Sequence, residues 1–146
     1  MQDRSTSFGS FMGSTPPAVK FLLIVNIAAF VLAPLLGSLL NVLVFQPRYA
    51  FLLWPFVTYM FLHGGFGHIF FNMFALWMFG RRLEYRWGTR GFFRFFLTCG
   101  VGAAVVHLIA SLVSYFLFGN SFKPIIGASG AIMGLLIAYA LLYGEE

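Results

Sequence analysis

Long apolar runs without charge alternate with short polar or charged stretches along most of the chain. Four runs approach or exceed the roughly 20 apolar residues that a helix needs to cross a bilayer. They cover about residues 21–45, 61–80, 95–119 and 125–143. Because a helix satisfies its own backbone hydrogen bonds in lipid, this pattern predicts an all-α polytopic membrane protein with four transmembrane helices.

The stretches outside these runs predict where regular helix begins and ends. Residues 1–19 are rich in Ser, Gly, Thr and Pro, which is typical of a flexible tail. Glycines at positions 64, 65 and 67 interrupt the second run. Since glycine disfavours helix, we expect regular helix in this run to begin near Phe66.

The composition indicates that the lipid bilayer is a partner of the protein. Hydrophobic residues make up 60% of the 146 residues and charged residues only 9%, whereas a soluble domain is about a quarter charged. There is too little polar surface to cover a globule in water. The net charge of +5 does not indicate nucleic acid, because the basic residues lie at the ends of the apolar runs, as in membrane proteins.

The distribution of positive charge predicts the orientation in the membrane. Five of the nine basic residues lie in a charged connector at 81–94, and Arg4 and Lys20 precede the first run. Positive charge is retained in the cytoplasm. The N-terminal tail, the connector and the C-terminus are therefore expected to be cytoplasmic, most simply at a bacterial inner membrane. His68 and Ser129 then lie at similar depth near the opposite surface.

Three polar side chains near that surface are candidates for chemistry. His68 and Asn72 are four residues apart, so they share one helix face and should avoid lipid. Ser129 stands at the start of the fourth run, where backbone N–H groups lack intrahelical partners. A hydroxyl beside free amides, an imidazole and a carboxamide suits acyl transfer, with Ser129 as nucleophile.

Each of these residues also has a plain structural interpretation. The Gly127–Gly130 stretch taken alone is better explained as helix packing surface, and Gly130 and Gly134 share one face suited to close approach of another helix. His68 and Asn72 could form an interhelical hydrogen bond. From the residues alone, His68 could also be the base that activates Ser129, whereas His107 lies too deep in its run to meet it.

Three motifs resemble those of the rhomboid family of intramembrane serine proteases. Residues 58–73, TYMFLHGGFGHIFFNM, resemble the family's His-x-x-x-Asn segment and the histidine that precedes it. Residues 79–88, FGRRLEYRWG, are similar to its Gly-x-x-Leu-Glu-x-x-x-Gly connector. The Gly-Ala-Ser-Gly at 127–130 resembles its nucleophile motif. The resemblance runs from about Lys20 to the last residue and implies a rhomboid-like six-helix bundle.

The resemblance implies a role for each candidate residue. Ser129 would attack the scissile carbonyl in the transmembrane segment of a membrane-protein substrate. The oxyanion would be held by His68, Asn72 and the backbone N–H of Ser129. The remaining motif residues would be structural: Gly127 and Gly130 in the nucleophile loop, His63 before the second helix, and Glu84 ordering the cytoplasmic turn.

The resemblance also implies a base that this sequence does not contain. In a rhomboid the base is a histidine on the sixth helix, whereas residues 20–146 match a partial domain of four helices. We therefore expect missing C-terminal spans or a second chain to supply the base, and the sixth span to cover the glycine face of the fourth helix. The chain by itself is expected to be inactive.

Two alternatives to a protease remain, and no cofactor is implied. The first is a catalytically inactive rhomboid-like protein that binds transmembrane helices. The second, half of a transporter, is disfavoured because the runs contain no charged residue. We expect no metal or organic cofactor, because no carboxylate lies within a run and the histidines lack ligand partners.

Overall fold

A computed structural model describes residues 14–144, which form helices joined by short irregular segments. The helices are α1 (Pro17–Leu36), α2 (Leu40–Leu43), α3 (Pro55–Thr58), α4 (Phe66–Phe118) and α5 (Ser129–Tyr143). Single 3₁₀ turns occupy Gly37–Leu39, Pro47–Tyr49 and Tyr59–Phe61. Within the described residues, extended pairing is confined to one antiparallel bridge between Phe45 and Ile125. The all-α prediction is confirmed.

Helix α4 consists of two arms that fold back on each other at Gly88. Gly88 has φ 74° and ψ 162°, which is not helical. A Cβ on Gly80 would lie 3.1 Å from Cζ of Phe92, although twelve residues of straight helix would separate them by about 18 Å. The first arm (66–87) and the second arm (89–118) are therefore neighbours, and the stretch predicted as a charged connector is helical on both sides of Gly88.

Helix α1 begins four residues before the first predicted span. Pro17 occupies the first helical turn, where a missing N–H costs nothing. The N-cap residue, Pro16, provides no side-chain hydrogen bond. Instead Glu84 of the first arm accepts the N–H groups of Ala18 and Val19, both at 2.8 Å. The predicted tail at 1–19 is thus helical from Pro17, and its residues 1–13 lie outside the described part of the chain.

The first predicted span also ends differently from the sequence prediction. Regular helix ends at Leu36, shortly after Pro34, and Gly37 has φ 51°. A 3₁₀ turn and the four residues of α2 then continue the chain to Leu43. Proline removes one helical hydrogen bond and glycine permits the positive φ. The span over residues 21–45 stays a prediction, but its helix is not continuous.

Helix α5 packs closely against the second arm of α4 through small residues. A Cβ on Gly130 would lie 2.5 Å from Cβ of Ala103, and one on Gly134 would lie 2.4 Å from Sγ of Cys99. The two pairs are four residues apart on each helix, so the helices run antiparallel in one register. The predicted small face is confirmed, but the second arm covers it, and not a sixth span.

The core is a layer of large side chains between α1, the two arms and α5. Large, almost completely buried members include Phe45, Tyr59, Phe92, Phe96 and Leu135. Many large apolar side chains point outward instead, for example Leu141 at 83% exposure and Phe116 at 77%. Two stretches, Pro17–Leu43 and Phe66–Phe118, are long and apolar enough to cross a membrane, and α5 is a shorter apolar helix.

Candidate active site

Ser129 is an exposed residue at the first position of α5. No side chain caps this helix start, and the N–H of Ile132, which bonds to the carbonyl of Ala128 at 2.9 Å, begins the helical ladder. The N–H groups of the first turn therefore lack intrahelical acceptors. The predicted nucleophile thus lies beside backbone donors at the positive end of a helix dipole.

His68 and Asn72 of the first arm lie against the loop that leads into Ser129. A Cβ on Gly127 would be 2.6 Å from Cε1 and Nε2 of His68, and 3.7 Å from Nδ2 of Asn72. Gly127 has φ 110°, a conformation that other residues rarely adopt. The backbone angle therefore favours glycine, and a larger residue would also have to displace the exposed His68 ring. The structure brings together these polar side chains and the Ser129 loop.

Asn72 presents a hydrogen-bond donor that nothing in the described structure satisfies. The residue is 7% exposed, and its Nδ2 is buried without a partner. A buried, unpaired amide donor costs about 1–3 kcal/mol. Such a donor next to the Ser129 loop is suited to an oxygen that gains negative charge during a reaction.

Tyr59 fixes the loop from the other side, a role that the sequence analysis missed. Its backbone carbonyl accepts the N–H of Gly127 at 2.8 Å. Its hydroxyl donates to the carbonyl of Gly100 in the second arm at 2.7 Å. Through these two bonds Tyr59 connects the Ser129 loop to α4. Because Tyr59 is 2% exposed, this connection lies inside the core. A bond through a backbone carbonyl has no sequence signature, so no signal in the sequence indicated this role.

His63 is buried in the turn before α4 and packs edge-on against His68, with ring centroids 5.0 Å apart. Burial, with a smaller contribution from the neighbouring His68, lowers the pKa of His63 to about 4, although a hydrogen bond to the backbone of Phe61 opposes the shift. Neutral His63 therefore forms one wall behind His68, in line with the structural role predicted for it.

Gly130 serves helix packing more than the loop. The site of its absent Cβ is occupied by Ala103, with the Tyr59 hydroxyl 3.3 Å away. The backbone of Gly130 is helical. The described contacts place Gly130 at the interface between α5 and the second arm, while its role in the nucleophile loop stays a prediction.

Glu84 lies away from the site, twelve residues beyond Asn72 on the same arm, or about 18 Å along a helix. Besides the two α1 amides, its carboxylate accepts a hydrogen bond from the Thr89 hydroxyl at 2.9 Å. These three bonds link α1, the first arm and the second arm just beyond Gly88. The predicted ordering role therefore includes the start of α1.

His107 contacts Lys123 and Phe45. Its Nε2 lies 2.8 Å from the backbone carbonyl of Lys123, and its ring packs edge-on to Phe45. Of the three histidines, His68 is the one whose ring contacts the Ser129 loop. Within residues 14–144, no three His, Cys, Asp or Glu side chains cluster as a metal site would require.

Comparison with known proteins relates the chain to one family. The model of the Rhomboid domain matches residues 50–145. RHOMBOID-like protein 5 of Arabidopsis thaliana is 36% identical over 83 residues, which cover 57% of this chain and 25% of that protein. Rhomboid protease GluP of Bacillus subtilis is 34% identical over 90 residues, which cover 62% of this chain and 15% of that protein.

A relative from yeast mitochondria extends the range of organisms. Rhomboid protein 1, mitochondrial, of Saccharomyces cerevisiae is 32% identical over 84 residues, which cover 57% of this chain and 23% of that protein. The chain spans less than a third of the length of the curated relatives that it matches.

Proposed function

Because this chain belongs to the rhomboid family, we propose that it acts in an intramembrane serine protease in which Ser129 is the nucleophile. Membership makes the chain an integral membrane protein of a group that comprises rhomboid-type proteases and their inactive relatives. The choice of a protease rests chiefly on one observation. The ring of His68 and the free Nδ2 of Asn72 lie against Gly127, two residues before Ser129.

The proposed reaction begins when the Ser129 hydroxyl attacks the carbonyl carbon of a peptide bond in a substrate's transmembrane segment. The carbonyl oxygen then becomes an oxyanion. Donors from the Asn72 amide, the His68 imidazole and the free N–H groups at the start of α5 would stabilise it. The hydroxyl proton must pass to a base, which later returns a proton to the leaving amine.

We assign His68 to the oxyanion and not to the base, following the family resemblance. Neither other histidine suits the role of base, since His63 is buried behind His68 and His107 is bonded to the Lys123 carbonyl. The base is then supplied from outside residues 14–144, on further spans or on a second chain. On this proposal the chain alone does not cleave substrate.

We further propose that the chain crosses the membrane four times, once with each of α1, the two arms of α4, and α5. The arginine-rich bend between the arms and the N-terminus would face the cytoplasm, and Ser129 the opposite side. A bacterial inner membrane remains a prediction, since the similar proteins named above come from a bacterium, a plant and yeast mitochondria.

Covalent labelling tests the nucleophile. The full-length protein in membranes is treated with a fluorophosphonate probe, which reacts with activated serines. We expect Ser129→Ala to abolish labelling and Ser121→Ala, in the exposed preceding loop, to leave it intact. Equal labelling of the wild type and Ser129→Ala would refute the assignment.

Asn72→Ala should slow substrate cleavage without unfolding the protein, and unchanged turnover would remove Asn72 from the site.

An inactive helix-binding protein is the second candidate function. An apolar groove of about 980 Å³ runs between α1 and the first arm, and such a surface favours apolar helices or lipid tails. The full-length protein would then crosslink to a transmembrane peptide without cleaving it, and no serine would react with the probe. Cleavage that depends on Ser129 would exclude this candidate.

A further inference from the structure

Two arginines at the end of the first arm are held against two tyrosines at the end of α5. The Arg82 guanidinium donates to the Tyr139 hydroxyl at 2.7 Å and lies 5.8 Å from the ring centroids of both Tyr139 and Tyr143. The Arg86 guanidinium lies 6.0 Å from the Tyr143 centroid. Each pair is spaced by four residues, so both pairs form one continuous surface.

No carboxylate within residues 14–144 is available to these arginines. Glu84 is the single acidic residue in this range, and its oxygens are bonded to the amides of Ala18 and Val19 and to Thr89. A guanidinium has five N–H donors, and Arg82 uses one in the bond given above. Both arginines are exposed. Among residues 14–144, the surface therefore holds two positive charges with several donors that no carboxylate occupies.

This surface lies where two apolar helices end. The uncharged run of the first arm stops at Gly80, just before Arg82, and α5 ends at Tyr143. Arginine and tyrosine at such ends lie at the level of lipid headgroups. We propose that Arg82, Arg86, Tyr139 and Tyr143 form a binding site for the headgroup phosphate of an anionic phospholipid.

The chemistry favours a phosphate over other ligands. Arginine forks donate pairs of hydrogen bonds to phosphate oxygens, and the tyrosine rings keep the guanidinium planes in position. Free phosphate offers the same oxygens but lacks acyl chains, whereas a lipid would place its chains along the apolar helices. The proposal does not depend on the chemistry at Ser129.

A lipid titration with matched variants tests the site. Short-chain phosphatidylglycerol is added to the full-length protein in neutral detergent, and native mass spectrometry measures the bound lipid. We expect Arg82→Gln/Arg86→Gln to weaken binding about tenfold, because the charge-assisted hydrogen bonds to the phosphate are lost. Arg90→Gln/Arg94→Gln removes the same charge from exposed residues that make no ring contact in the described structure, and it should bind like the wild type.

A lysine variant separates a specific site from general attraction. Arg82→Lys/Arg86→Lys keeps the charge and can still interact with the end of α5, but it lacks the planar fork, so weaker binding is expected. The lysine variant also tests the phosphate site if the glutamine variant fails to fold. Equal binding by the lysine variant and the wild type would overturn the proposal. Full competition by inorganic phosphate at the lipid's own concentration would also overturn it.

Discussion

Gly127 shows how a residue without a side chain can organise a site. Its φ of 110° strains any other residue, and a Cβ there would have to displace the ring of His68. Its N–H is bound to the Tyr59 carbonyl. One residue thus sets the path of the chain into Ser129 and the distance between that path and the first arm.

We expect Gly127→Ala to destabilise the protein and to abolish labelling of Ser129. The backbone alone should cost about 1–2 kcal/mol, and the new methyl group must displace His68. Thermal unfolding and fluorophosphonate labelling of the full-length protein measure the two effects. Gly102→Ala is the control, because nothing lies within 4 Å of its Cβ and alanine favours helix. Normal labelling of Gly127→Ala would contradict the proposed geometry.

His63 should make stability depend on pH. An unfolded histidine has a pKa near 6.5, and burial lowers the pKa of His63 to about 4 in the fold. The folded protein therefore disfavours the proton. The contribution of His63 is complete above pH 6.5 and is lost as pH falls from 6.5 to 4, by about 3 kcal/mol in total.

Urea unfolding between pH 7 and pH 4 measures this effect. His63→Gln should flatten the pH dependence, and His107→Gln, at a partly exposed position, should leave most of it. If the free energy of unfolding depends on pH equally in His63→Gln and the wild type, another group causes the dependence.

At the residue scale, the spacing of His68 and Asn72 was enough to predict that they share a face, and the position of Ser129 at a helix start suggested the other half of the proposed site. Tyr59 could not be predicted. It holds the loop through its backbone carbonyl, and every residue has one. The contact exists only because the turn before α4 reaches the loop before α5.

At the scale of elements, α1 depends on a residue from another helix. Its N-cap is a proline without a capping side chain, and Glu84 takes that role. The helix begins at Pro17, four residues before the first apolar run, so hydropathy alone does not indicate its start. A cap that lies 65 residues away along the chain leaves no local pattern.

We expect Glu84→Gln to loosen the start of α1. An amide keeps one acceptor oxygen but presents N–H groups to the second backbone donor, so the loss should be about 1–3 kcal/mol. Hydrogen exchange at the Ala18 and Val19 amides measures it locally. Thr89→Val removes the third bond alone and should leave those amides protected. Unchanged exchange in Glu84→Gln would show that the cap is not needed.

The glycine face of α5 shows what periodicity can and cannot predict. The spacing of Gly130 and Gly134 correctly indicated a close helix contact. The predicted neighbour, a sixth span, was wrong, because the spacing of residues on one helix face does not identify the helix that covers it. That answer depends on Cys99 and Ala103 of the second arm, whose small side chains meet the two glycines.

At the scale of the whole molecule, the apolar exterior and the buried layer indicate a protein built for lipid. Composition predicted this class correctly, since few polar residues were available. Composition could not predict that the charged connector would be helical. Arginine is a good helix former, and only Gly88 breaks the regular backbone there.

The proposed orientation makes a prediction about accessibility. In Cys99→Ala membranes, Ser121→Cys should react with an impermeant maleimide added from outside the cell. Arg90→Cys should react only after the membrane is permeabilised, because the arginine-rich bend is expected in the cytoplasm. Both positions are exposed in the fold, so burial does not explain a difference. The reverse pattern would invert the orientation.

The antiparallel register of the second arm and α5 also has a consequence for how the protein is made. These helices follow each other in sequence, joined by the segment 119–128, and small residues let them pair as soon as both have left the ribosome. The contact between His68 and Gly127 joins positions 59 residues apart, so it closes a longer loop. We therefore expect the hairpin to enter the membrane as a unit, and the site around Ser129 to be completed later in biogenesis.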